Sequence, residues 1–368
     1  MSGSGGSAGG SGSGGAVTAG AAGAAGSGGA ATGPRVVAVV TQSSAPPYVA
    51  TFTDAAGWVE TPAGSTVLAG RAGVARSGTG ALVVARQPSS ALVAATWSAG
   101  SLSTFAPLPG FPNATDGPSL SATPDGARLA IAYLGSDARH YGAVYTAAGG
   151  LPTAGPLGTD VPQAFGDSVA SVAVGAASAY AAYSGDDHGV YALTHDGAQW
   201  STSKPVMGAG TVPTVSPTVV VTNDVPTVLY VEGGGNPTSQ VCATRRVGAD
   251  YLPPACGQNV YTSRTVGAAP LANGKLLVAW HGLESNGNDQ RIYAAELDGI
   301  KWGVVFQVDQ EQDVTSAPVV VTGLAGADAE ILYTKGGKLR HARVVGGVAT
   351  VTVIGGANAV EVGAAVIP

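Results

Sequence analysis

Between Arg35 and Pro368 the chain repeats one unit seven times: an apolar strand ending in a small or aromatic residue, a polar loop, and a second strand running into a Gly-containing turn. The first strands of the units end at Val40, Ala85, Tyr133, Tyr183, Tyr230, Trp280 and Tyr333, so successive ends are 45, 48, 50, 47, 50 and 53 residues apart. A near-constant period of about four strands' length is the signature of a β-propeller, in which each repeat is one blade and burial is completed by its neighbours. Gly or Pro interrupts almost every twelve-residue window after Arg35, so no helical period is sustained and the expected class is all-β.

The companion strands keep the same register, for example at 189–200 and 291–302, where Asp196-Gly197 and Asp298-Gly299 supply the positive φ angles that two-residue hairpins require. A further, innermost strand precedes most units, as at 168–175, 216–224 and 316–323. The first unit lacks one, whereas the C-terminal segment 360–368 has that pattern and no unit after it. The expected closure therefore places the C-terminal strand in the first blade, which leaves no open sheet edge at the join. The domain spans 35–368.

Residues 1–34 differ in kind. The first 33 contain no charged residue, aromatic, Leu or Ile, so they have little to bury against the entropy of ordering and read as a flexible tether. They also lack the basic start and apolar core of a signal peptide. Two origins stay open: a cytoplasmic protein with a tail, or the mature part of an exported or lipid-anchored protein held away from a surface. Cys242 and Cys256, the only cysteines, flank a turn at Val247–Asp250 and are expected to form a cross-strand disulfide, which favours an oxidising compartment and an extracellular, surface or periplasmic location. No apolar run has transmembrane length.

In such a ring the loops after the first strands and the interblade segments share one face, and the tight turns share the other. The loop-rich face is the candidate site, because binding residues concentrate on loops carried by a rigid scaffold. Its charge is uneven: blades three, four and six carry Asp137, Arg139, His140, Asp186, Asp187, His188, His281, Glu284, Asp289 and Arg291. The matching loops of blades one and two are uncharged. One sugar pocket per blade would repeat its polar residues, so the pattern points to one asymmetric ligand site, or to solvated loops and no site.

No cofactor is expected. Asp186-Asp187-His188 lacks the alternating oxygen ligands and closing Glu of a calcium loop, whereas the stretch 284–289 is rich enough in oxygen ligands for weak calcium binding. A net charge of −6 with 17 basic residues argues against nucleic acid. The aromatics Trp58, Trp200, Tyr251 and Trp302 recur at one hairpin position, as outer-strand packing or as stacking platforms for sugars.

The repeat resembles the sialidase-like propellers, in which small-Pro inner strands recur, as at Ser216-Pro217 and Ala317-Pro318, and in which hairpins carry an Asp-box that Thr194–Trp200 approaches. The resemblance covers 35–368 at blade level only. It implies an arginine triad, a Tyr/Glu nucleophile and an Asp acid/base. Arg35, Arg264 and Arg291 are the arginines nearest suitable edges, but the first-strand arginine followed by Ile-Pro is absent. The expected function is a non-enzymatic recognition or scaffold module, monomeric, binding a surface protein or a glycan. The alternative is a glycoside-processing enzyme, for which Asp137, Asp187 and Glu284 could supply paired carboxylates.

Overall fold

The chain forms seven antiparallel sheets of four or five strands, one per repeat, with all seven strand pairings of the repeat pattern realised. A computed structural model describes residues 33–150, 153–158, 164, 168–207, 215–233, 239–282, 290–355 and 358–368. Thr32–Pro368 is one compact unit. The other, Met1–Ala31, lies outside the described residues, and with it the expected tether.

Blade one is built from Arg35–Gln42, Ala45–Thr53 and Gly57–Pro62, with Ala359–Ile367 as its innermost strand. The last strand pairs antiparallel with the first from Arg35↔Ile367 to Gln42↔Ala359, so the ring closes as its sequence predicts. Blades two to seven place Ala69–Ser77, Ser119–Ala122, Ser171–Val174, Thr218–Thr222, Gly267–Pro270 and Val319–Val321 innermost. Their second strands are Gly80–Arg86, Arg128–Leu134, Ala179–Ser184, Val225–Glu232, Leu276–His281 and Ala329–Lys335. Among the described residues the only helical element is one 3-10 turn, Ala147–Gly149.

The unbroken apolar runs of the second strands have a packing cause. Val36, Ala38 and Val40 pack with Val319, Val321 and Leu332 of blade seven, while Val37 and Val39 pack with Val74 and Val83 of blade two. Each blade is sandwiched between two others, so both faces of the strand are buried and alternation disappears. The strand ends Tyr133, Tyr183, Tyr230, Trp280 and Tyr333 are among the largest fully buried side chains.

The turn face is made of tight hairpins. Thr222 pairs with Val225 across Asn223 and Asp224, both left-handed at φ 51° and 60°, the conformation that asparagine and aspartate tolerate best after glycine. The Asp196-Gly197 turn differs from expectation. His195 bridges Trp200, so this loop has four residues, 196–199, and the Asp196 carboxylate accepts from the Ala198 and Gln199 N–H groups. Asp298-Gly299 stays tight, with Asp298 paired to Lys301.

Candidate functional site

The loops of blades three and four are built alike. Asp137 Oδ1 accepts from the Arg139 N–H at 3.2 Å, and its Oδ2 accepts the Tyr141 hydroxyl at 2.8 Å. Asp187 repeats both contacts, with the Gly189 N–H at 2.9 Å and with the Tyr191 hydroxyl. Between each Asp and Tyr lies a left-handed residue, Ala138 at φ 61° or His188 at φ 65°. Both carboxylates therefore staple their turns. These bonds push the tyrosine hydroxyls up, Tyr191 to about 12, because the phenolate would face a carboxylate.

The remaining predicted residues that are described have different surroundings. His140 is 1% exposed and lies between blades three and four, its ring 4.8 Å from that of Tyr183. Burial pulls its pKa down to about 4, so it is neutral at physiological pH. His281 is also buried, at the end of its strand. Both sit where a strand meets its loop, His140 first in one strand and His281 last in another, and both side chains turn into the packed interior rather than to the surface. Arg139 and Asp186 are exposed, and Arg291 Nε donates to the Gln310 carbonyl at 3.0 Å. Glu284 and Asp289, with the calcium candidate 284–289, lie outside the described residues.

Three hollows are better formed. The largest, about 800 Å³, opens on the outer rim between blades one and seven, where Phe52, Trp58 and Glu60 face His341, Arg343, Thr350 and Thr352. Its floor is a hydrogen-bonded chain across the seam. Trp58 Nε1–H donates to His341 Nδ1 at 3.1 Å, and this fixes the proton on Nε2, which meets the buried Glu330 carboxylate. Arg343 lies 3.7 Å from the other Glu330 oxygen, pairs with Asp54, and sits 5.9 Å over the Phe52 ring. Phe52 and Trp58 are 5.2 Å apart, so two adjoining aromatic faces are flanked by cationic and anionic groups.

A second rim cleft of about 450 Å³ separates blades three and four, lined by Thr153, Pro156, His195, Gln199, Trp200 and Ser201. The recurring outer-strand aromatics thus divide. Trp302 donates to the Ala255 carbonyl at 3.0 Å and Tyr251 packs in the core between blades four and five, as expected of packing residues. Trp58 and Trp200 also pack against the core, but in addition they line open clefts.

The third hollow, about 470 Å³, is the central channel between the seven inner strands. Its wall is stitched by hydroxyls from blade to blade: the Val172 and Val174 N–H groups donate to Ser119 and Ser121, Val219 N–H donates to Ser171, and the Thr218 hydroxyl donates to the Val266 carbonyl at 2.7 Å. Glu361 pairs with Thr41 and Ala69 with Arg86, near the ends of second strands, which puts Glu361 and Arg71 at the loop-rich mouth. Asp116 and Arg264 precede the inner strands of blades three and six at the same level. Gly117 allows this approach, since a Cβ there would fall 1.9 Å from the Arg71 carbonyl oxygen. Burial lifts the Glu361 carboxyl to about 7 against the pull of Arg71 and Arg264. Sequence reading had noted Arg264 alone of these four. The available signal was a charged residue inside an otherwise apolar or small-residue inner strand, as in 69–77 and 359–367.

Cys242 and Cys256 form the expected disulfide from paired positions on adjacent strands. Among the described residues, they and Glu232 are the one group of three side chains close enough to share a metal. With both sulfurs joined, no thiolate is offered, so the group does not suit a metal.

No family model and no curated protein matches the sequence. Solved structures match its fold. The BP39L lectin from Burkholderia pseudomallei is 15% identical with a TM-score of 0.69, over 87% of this chain and 95% of that one. The SapL1 lectin, solved in complex with alpha methyl fucoside, is 12% identical with a TM-score of 0.53, over 79% and 97%. AofleA from Arthrobotrys oligospora is 15% identical with a TM-score of 0.53, over 81% and 90%. At such identities the likeness is one of fold. The two neighbours whose function is named are lectins, so the propeller reading stands while the likeness to sialidases gains no support.

Proposed function

We propose that this chain is a non-enzymatic glycan-binding propeller whose principal site is the rim cleft between blades one and seven. The carrying observation is the Trp58–Phe52 pair, held by the His341–Glu330 chain and edged by Arg343, Glu60, Thr350 and Thr352. A pyranose has an apolar C–H face that suits an indole or phenyl ring, and a rim of hydroxyls that suits guanidinium and carboxylate partners. The lectin neighbours support the same class. The disulfide supports an exported or surface location, since such bonds persist in oxidising compartments. Among the described residues no helix is long and apolar enough to cross a membrane.

The test is a glycan array followed by calorimetry on the best ligand. Thr350→Trp, at an exposed strand position, fills the cleft without touching the core and is expected to abolish binding at an unchanged Tm. Trp58→Leu should weaken binding about tenfold, the equivalent of ~1.4 kcal/mol of lost ring contact. Arg139→Ala with Asp186→Ala on the loop-rich face should leave binding intact. Loss in that pair, with retention in Thr350→Trp, moves the site to the loop-rich face. Array silence with capture of a surface protein replaces the glycan by a protein partner, and turnover of chromogenic glycosides favours the enzyme.

A further inference from the structure

The central channel holds a charge arrangement that neither ring closure nor the rim cleft requires. Among the described residues the Arg71 guanidinium makes no hydrogen bond, although it lines the channel and its side chain is half-buried in the wall. Its neighbours are only partly committed to it. Asp116 Oδ1 accepts from the Gly117 N–H at 2.6 Å, Arg264 donates to the Thr315 carbonyl, and Glu361 lies in electrostatic reach of both arginines. A half-buried guanidinium that turns five N–H donors to a channel and has no hydrogen-bond acceptor from the protein is an unfinished recognition element, and a carboxylate is the planar, bidentate acceptor that completes it. Below the mouth the wall passes to Val172, Val219, Val320 and Ala268, broken by the serine and threonine hydroxyls already spent on holding the blades together. A ligand with an anionic head and a short apolar tail matches that order of surfaces.

We propose that the loop-rich mouth of the central channel binds a small monocarboxylate, its head paired with Arg71 and its short apolar tail directed down the channel. The site is separate from the rim cleft and does not depend on the glycan reading. Glu361 is the internal competitor. When ionised it answers the Arg71 charge itself, and when protonated it leaves that charge to the ligand. Its carboxyl titrates near 7 under the influence of burial, Arg71, Arg264 and Asp116, so binding takes up a proton across the neutral range.

The experiment is a calorimetric titration of the full chain with sodium butyrate at three pH values near 6, 7 and 8, with butyramide as the neutral control. Butyrate should saturate and butyramide should not. Wild-type affinity should fall about fivefold from pH 7 to 8, following the protonated fraction of Glu361, and change little below about pH 6. Arg71→Gln should weaken binding at least tenfold. Glu361→Gln should bind at pH 8 as the wild type does at pH 6, with no trend in pH. The proposal is overturned by an absence of saturable binding up to about 50 mM, a weak limit for a ligand of this size. Equal binding of butyramide, or unchanged affinity in Arg71→Gln, overturns it as well. If Arg71→Gln does not fold, Glu361→Gln decides alone, and persistence of the pH trend in that variant refutes the arrangement.

Discussion

His140 should make this propeller sensitive to mild acid. Its imidazole is sealed between blades three and four against Tyr183, and burial, opposed only by the Ser184 carbonyl, lowers its pKa from 6.5 to about 4. In the unfolded chain the ring takes up its proton near 6.5, while the native ring stays neutral until about 4. Between these values the unfolded state binds more protons, so stability is fully present above pH 6.5 and declines as pH falls towards 4. At ~1.4 kcal/mol per pH unit over that interval, the loss is about 3 kcal/mol. His140→Phe keeps an aromatic ring against Tyr183 and removes the titration. Denaturant unfolding of both proteins from pH 7.5 to 4 should give stabilities within about 1.5 kcal/mol at the upper end, as for a similar-sized core exchange. The variant should gain about 3 kcal/mol on the wild type at the lower end. Glu361 titrates in both proteins and cancels in the difference. Parallel profiles, or a His140 ring resonance that titrates near 6.5, would refute the reasoning.

Two further outcomes follow from the fold. Deletion of 359–368 removes the buried Val362 and Ile367, each worth about 2 kcal/mol, and opens the whole length of Arg35–Gln42, so the cooperative calorimetric transition should disappear; an unchanged Tm would show that the last strand is dispensable. Replacing Cys242 and Cys256 by Ala should lower stability by at most about 3 kcal/mol, because the bridged loop is short and the blade already pairs both strands, and non-reducing peptide mapping should recover the linked peptides from the native protein.

The architecture was legible because a blade is a local object. Its strands, turns and period lie within about fifty consecutive residues, and the missing inner strand of blade one was visible against the spare one at the C-terminus. The candidate sites are not local. Trp58 and His341 are 283 positions apart and meet only because the ring closes. Arg71, Asp116, Arg264 and Glu361 come from four different blades, each looking like an isolated charge in its own segment. The inward turn of the charged loops was illegible for a related reason. Asp137 and Tyr141 share the spacing of Asp187 and Tyr191, but the sequence does not reveal that the carboxylate turns inward to accept the tyrosine hydroxyl. Likewise Asp309, between the sheets of blades six and seven, is buried and accepts the Tyr333 hydroxyl at 2.6 Å.

The strand that completes blade one is made after the other strands of the ring. Until Ala359–Ile367 is released, Arg35–Gln42 carries an unpaired edge flanked by buried-type valines, in a chain whose other blades can already assemble. Nothing in the pairing distinguishes the molecule's own C-terminal strand from that of a second molecule. Closure within one chain wins through the high effective concentration of its own end. As chains are crowded during refolding that advantage shrinks, and the same nine residues become the exchangeable piece of a strand-swapped dimer.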